Sequence, residues 1–345
     1  MKVVFLVIDY VPHQVLSIKN TMDNLGAKVM AFHVARFSTE IPDLGLDFIT
    51  ANYKDFSREQ VLQKINEFKP DLVIAAGWMI PEFTWVCKRL KLETDLPIVA
   101  LSDTPWYGTI RQKINALLSP YHLHKAFTHL WVAGIRQYDY ARKLQFANHQ
   151  IIFHSLCANV DFFQKVNIEL KSVKWPKNFL YVGTLNVNKG LRNVMEAWSA
   201  IEDKKGWSFT LVGEGEMRED LIQNGGFIVK GYQPQTNLLK EMQNGGCFLM
   251  ASLSDQWGVA LHEAAAAGLP ILCTETCGAA PHFVISNYNG YTVKNNSVTD
   301  LKDKIEKIIS LSDNELLVYG HRSRDLSNTI NPAVQLANLK QILKC

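Results

Sequence analysis

No stretch of this 345-residue chain approaches the roughly 20 consecutive apolar residues of a membrane span. Internal repeats and low-complexity tracts are absent as well, which sets aside solenoid arrays and disordered segments. The six cysteines are scattered, and only Cys273 and Cys277 lie near each other. That spacing lacks the paired pattern of a zinc site and gives no disulfide framework, so they read as reduced cytosolic thiols. Excess charge is missing too: 36 Lys and Arg against 33 Asp and Glu leave +3, which gives no support to nucleic-acid binding. The apolar run after Lys2 is short and has no small-residue cleavage site, so it reads as a buried strand and not a signal peptide. Finally, no Asp or Glu occurs between Thr104 and Tyr138.

What is present is 47% hydrophobic sequence, enough for two cores. Short apolar runs alternate with helical periods. Strands are expected at Val3–Ile8, Lys28–His33, Leu72–Ala76, Ile98–Ser102, His129–Val132 and Gln150–His154, then at Phe179–Val182, Ser208–Val212, Phe227–Lys230, Cys247–Met250 and Pro270–Cys273. Helical patterns fall at Arg58–Phe68, Arg136–Leu144, Leu191–Ile201 and Gly258–Ala267. Val-, Ile- and Leu-rich strands between helices mean βαβ units and parallel sheets covered on both faces. The expected fold is therefore α/β, with two Rossmann-like domains whose strand ends face a central cleft. The polar stretch before Trp175-Pro176 places the seam there, giving residues 1–165, 166–325 and a C-terminal segment 326–345. In that last segment Pro332–Lys344 shows an amphipathic helix with Ala333, Leu336, Leu339 and Leu343 on one side, expected to cross back to the first domain.

The segment Ala251–Pro270 carries most of the chemistry. It reads as a strand end, a turn and an alanine-rich helix. Gly258 lets the backbone approach a ligand, and the free amides of Gly258, Val259 and Ala260, with the helix dipole, suit a diphosphate. Glu263 shares a helix face with Val259 and can accept two hydroxyl hydrogen bonds, as from a ribose. Asp255 in the turn is placed for sugar hydroxyls; alternatively it only caps the helix, and Glu263 is only a surface residue.

This segment resembles the signature of retaining GT-B glycosyltransferases of family 4, in which two acids are separated by seven residues; Asp255 and Glu263 match, with Asp in place of the usual first Glu. Phe179–Leu185 with Lys189-Gly190 resembles the family's first donor-domain strand and its Lys-Gly turn, and Leu211–Gly215 its next strand end. Val229–Tyr232 resembles the loop holding the base, Gly278–His282 a later loop, Asn289–Tyr291 the turn after it, and Asn159–Phe163 the run ending the N-terminal domain. The resemblance implies donor contacts from Gly183, Thr184, Lys189, Gly231, Tyr232, Asp255, Gln256, Trp257, Gly258, Val259, Ala260 and Glu263. Lys189 would neutralise the diphosphate, as expected where no Asp-x-Asp metal motif occurs; no metal or other cofactor is implied. Thr184 stands where the family usually carries Arg.

The first half departs further. Asp9–Gln14 follows the first strand without the family's glycine-rich loop, and Ser102-Asp103-Thr104-Pro105-Trp106 stands where a His is usual. Asp103 then either positions the acceptor hydroxyl or opens a turn before proline. In the acid-free stretch, Arg111, Lys113, Lys125 and Arg136 interleave with Trp106, Tyr107, Tyr121 and Phe127. Such a mixture suits an anionic membrane surface or lipid-phosphate acceptor, or else a solvated helix with aromatics in the core. The implied function is a cytoplasmic glycosyltransferase, peripheral to the inner face of the membrane in the first of these cases. It would use a UDP- or GDP-type donor and a glycan or lipid-linked glycan acceptor, in polysaccharide or lipopolysaccharide synthesis. A nucleotide-sugar epimerase and a non-catalytic nucleotide-sugar-binding protein are the alternatives.

Overall fold

The computed structural model describes residues 1–34 and 41–343. The chain divides into two compact units, residues 1–157 with 332–345 and residues 158–331. Seven strands form the sheet of the first: β1 (Lys2–Val7), β2 (Lys28–His33), β3 (Phe48–Asn52), β4 (Leu72–Ala75), β5 (Ile98–Ser102), β6 (His129–Val132) and β7 (Ile151–Phe153). Their order is β3-β2-β1-β4-β5-β6-β7, and every pairing is parallel. The second unit repeats the plan with β8 (Asn178–Val182), β9 (Ser208–Val212), β10 (Ile228–Lys230), β11 (Cys247–Met250), β12 (Ile271–Thr274) and β13 (Gly290–Val293), in the order β10-β9-β8-β11-β12-β13. The central strands are buried on both faces, as parallel sheets between helix layers must be. Each unit is thus a Rossmann-like α/β layer structure in which the loops after the strands collect at one edge of the sheet.

Two edge strands were not expected from the sequence. β3 is half-buried and pairs only with β2, so its residues need no continuous apolar run. Gly290-Tyr291, expected as a turn, opens β13; a side chain at Gly290 would strike the Ile271 carbonyl at 1.8 Å, so this edge pairing requires glycine. The units divide at 157/158 rather than at 165/166. The short helix Val160–Phe163 buries Val160 and Phe163 in the second unit, and the Ala158 amide donates to His262 Nδ1 at 3.1 Å.

The helix Pro332–Lys340 returns to the first unit; Lys344 lies outside the described residues. Asn20 donates to the Pro332 carbonyl at 2.7 Å, Gln335 to Ser155 O at 2.9 Å and Asn338 to Phe153 O at 3.1 Å. Leu336 and Leu339 are buried, and Leu343 packs at the margin of the same core. Ala333, expected on that side, is exposed; Gln335 is buried instead, its amide donating to the Ser155 carbonyl just beyond β7. Leu339 packs in the core with Val3, Phe5 and Ile74. Leu339→Ala should therefore cost roughly 2–4 kcal/mol in urea unfolding. A loss below about 0.5 kcal/mol, the level of a surface change, would mean the helix is not part of this core.

Candidate functional site

At the carboxyl end of β8 the chain leaves through Gly183 and Thr184 and makes a tight turn over Val187–Lys189. Gly190 follows with φ +67°, and a β-carbon there would lie 1.9 Å from the Ala251 carbonyl. Only glycine allows this turn to sit directly against the end of β11. The Leu253 amide donates to Asn188 O at 2.9 Å, tying the two loops together. The consequence is a half-buried ion pair: Lys189 Nζ lies 2.6 Å from Asp255 Oδ2, with Ser252 Oγ 3.3 Å from the same oxygen. The buried Tyr181 hydroxyl donates to Thr184 O at 2.8 Å, and its phenol is held above its ordinary range by burial and by the Asp255 charge.

The loop carrying Asp255 is fastened on its other side. Gly278 N donates to Asp255 O at 3.0 Å, and Ala279 N to Trp257 O at 2.9 Å. Gly258 then adopts φ +90°, where an added β-carbon would lie 2.8 Å from Cys277 Sγ, and the helix Val259–Ala266 begins. No side chain caps that helix, and Val259 and Ala260 of its first turn are half-exposed. Ala264, Ala265, Ala266 and His262 face the interior. His262 is wholly buried, stacks on Phe283 at 4.1 Å, accepts from Ala158 N at Nδ1 and donates from Nε2 to Ser327 O at 3.1 Å. Both ring nitrogens are thereby engaged as in the neutral tautomer.

Glu263, the next residue, is half-buried. Burial pushes its carboxyl from an ordinary value of 4.5 up to about 7, opposed by a hydrogen bond from Gln235. Gln235 opens the helix Gln235–Asn244. Nothing in its local sequence marked it: the residue gains its place only because the fold brings its side chain within hydrogen-bonding reach of the Glu263 carboxyl. The same helix supplies Glu241, whose carboxylate oxygens lie 2.8 and 2.7 Å from Lys230 Nζ and anchor the end of β10 ahead of Gly231-Tyr232. Gly231 lies against Glu214, whose Oε1 would be 2.5 Å from an added β-carbon, while Tyr232 is 74% exposed and so is not core. Thr184 and Gln256 are exposed. Trp257 is 2% exposed, and its indole packs against His282 and Phe283. Lys189 therefore comes from the turn after β8, and Asp255, Gly258 and Glu263 from the loop and helix after β11, its neighbour in the sheet.

Asp103 belongs to the first unit, directly after β5, and is half-buried. Its carbonyl accepts from Gln137 Nε2 at 3.0 Å. The following loop is held by buried Gln112, which accepts from Tyr107 N at 2.7 Å and donates to Pro105 O at 2.8 Å. At the end of β1, Asp9 is buried and the Tyr10 hydroxyl hydrogen-bonds Thr50. Pro12 opens the next helix where a glycine-rich loop was missing, and burial presses the adjacent His13 down to about 4.

Residues 162–324 match the model of the family described as "Glycosyl transferases group 1", a span filling nearly all of the second unit. The amylovoran biosynthesis glycosyltransferase AmsK of Erwinia amylovora is 30% identical over 143 residues, 37% of this chain and 35% of that one. The chain spans less than half the length of the curated relatives it matches. Among solved structures, a glycosyltransferase from Rickettsia africae superposes with a TM-score of 0.78 at 15% identity, covering 99% of this chain and 97% of that one. Anabaena HepE, solved in complex with UDP, superposes at 0.75 and 12% identity over the whole of both chains. At such identities the likeness is one of fold: two Rossmann-like units, the GT-B architecture.

Because the folded-state pKa of Glu263 is raised, its stabilising contribution is complete below about 4.5 and is lost as pH rises through about 7. Glu263→Gln removes that loss. The ligand-free variant should be more stable than the parent at pH 8, by up to roughly 3 kcal/mol, and the gain should vanish near pH 4. Thermal unfolding across that range checks this; a pH-independent difference would remove the buried charge from the account.

Proposed function

We propose that this chain, whose second unit is a glycosyl transferases group 1 domain, moves a sugar from a nucleoside-diphosphate sugar to a saccharide or lipid-linked acceptor with retention of configuration. The observation that carries the reading is the Lys189–Asp255 pair at 2.6 Å beside an uncapped helix start. A diphosphate at that helix start meets free amides and the positive end of the helix dipole. Lys189 then exchanges Asp255 for the phosphate, and the released carboxylate accepts sugar hydroxyls. Glu263 accepts the ribose hydroxyls. UDP in HepE supports a uridine-type donor.

Transfer then needs no protein nucleophile. The bond from the anomeric carbon to the phosphate oxygen breaks, the acceptor oxygen bonds to the same face, and its proton passes to the departing phosphate. The protein contributes orientation and charge stabilisation of the leaving group, with Lys189 and the helix amides doing without a metal. Asp103 orients the acceptor hydroxyl.

Incubation with a panel of nucleotide sugars and glycan acceptors tests the reading. Transfer with release of nucleoside diphosphate supports it; sugar isomerisation would make the protein an epimerase, and binding without turnover a nucleotide-sugar-binding protein. Lys189→Met should lower turnover roughly 10²–10³-fold, as loss of one leaving-group contact does, and a chelator should change nothing. Full turnover by the variant would remove Lys189 from the site. Donor affinity should rise with pH through about 7, where Glu263 ionises and gains full acceptor capacity. Asp103→Asn should leave donor affinity intact and slow transfer by roughly 100-fold. Normal transfer would return Asp103 to the turn that precedes Pro105.

A further inference from the structure

The helix Ile110–His122 of the first unit is built inside out. At 100° per residue, Ile110, Ile114, Leu117, Leu118 and Tyr121 share one arc of about 100°. That arc faces solvent: these side chains are 77%, 52%, 71%, 46% and 71% exposed. The opposite arc is polar and faces the protein. Gln112 is buried and bonded to Tyr107 N and Pro105 O, Ser119 donates to Leu144 O at 2.8 Å, and Asn115 donates to the Tyr140 hydroxyl at 2.8 Å. A helix on a water-facing surface carries the reverse pattern. Here every inward polar group named finds its partner, so the orientation is fixed and the apolar stripe is left outside.

The margins of the stripe are basic. Arg111 and Lys113 are exposed and flank it on either side, and exposed Lys125 follows the helix. Lys88 approaches from the helix Pro81–Glu93; burial first, then this charge, hold His122 below its ordinary pKa. From Thr104 to Tyr138 there is no carboxylate to offset these cations. Among the described residues no helix is long and apolar enough to cross a membrane.

We propose that this face docks on an anionic lipid bilayer. The stripe enters among the acyl chains while Arg111 and Lys113 meet lipid phosphates. Charge complementarity selects this occupant. An apolar stripe between basic margins matches a surface that is apolar within and anionic at its rim. A second copy laid on the same face would bring like charges together.

Flotation of the full chain with vesicles tests the proposal. Vesicles rich in phosphatidylglycerol should carry the protein, vesicles of phosphatidylcholine alone should carry much less, and added salt should release it. Arg111→Gln with Lys113→Gln should lower binding to anionic vesicles roughly tenfold or more. Ile114→Ser with Leu117→Ser should do the same with no loss of thermal stability, since neither side chain is buried. Failure to float with anionic vesicles, or equal flotation of the parent and either double variant, would overturn the proposal. So would a dimer in sedimentation velocity that the Ile114→Ser, Leu117→Ser variant converts to monomer, which would make a second copy the occupant.

Discussion

The contact between the turn after β8 and the carbonyl of Ala251 governs the geometry of the second unit's working edge. With Gly190 at φ +67° and no side chain, the two loops meet at backbone distance. That approach lets the short 3₁₀ turn deliver Lys189 to Asp255, and lets Asn188 O accept from Leu253 N. Any β-carbon at this point would separate the loops by more than an ångström, a displacement large against the tolerance of charge positioning. The cation and the carboxylate belong to different βα units, sixty-six residues apart.

A single helix then shows how one short sequence serves two environments. In Val259–Ala266, His262 turns inward with both nitrogens engaged, between Ala158 and Ser327, while Glu263 turns toward the edge with a carboxyl held near neutrality by burial. Ala264, Ala265 and Ala266, which follow them, are buried and allow close packing against the helix Asp313–Ser327 and the short helix Val160–Phe163. The interior histidine fixes the helix's position, and the position sets how much water reaches Glu263. An acid that costs stability when ionised without a ligand is one whose charge a bound hydroxyl pair would repay.

Two helices of the first unit make opposite use of apolar stripes. Pro332–Lys340 buries Leu339 in the core beside β1 and β4. Ile110–His122 turns Gln112 and Ser119 inward and its isoleucines and leucines outward. Periodicity alone identifies a stripe in either case but carries no sign for the direction it faces. The direction follows from partners far along the chain, such as Leu144 O for Ser119 and Ser155 O for Gln335.

The sequence by itself determined the βαβ alternation, the parallel sheets and nearly every interior strand, because strands buried on both faces must be continuously apolar and their hydrophobicity is local information. It likewise singled out Lys189, Asp255, Gly258 and Glu263 as candidates, since glycine at a turn and acids at fixed spacing on a strand–turn–helix are readable in order. Tertiary structure decided the rest. The edge strands β3 and β13 owe their form to a neighbour, not to their own pattern. The burial of the Trp257 indole comes from His282 and Phe283, which pack against it from a later short helix. Gln235 and Glu241 joined the site, and Gln335 displaced Ala333 from the core, only through packing between elements far apart in sequence. Which groups meet across such distances depends on close-packing and on the demand that buried polar atoms find partners, and both are properties of the assembled chain.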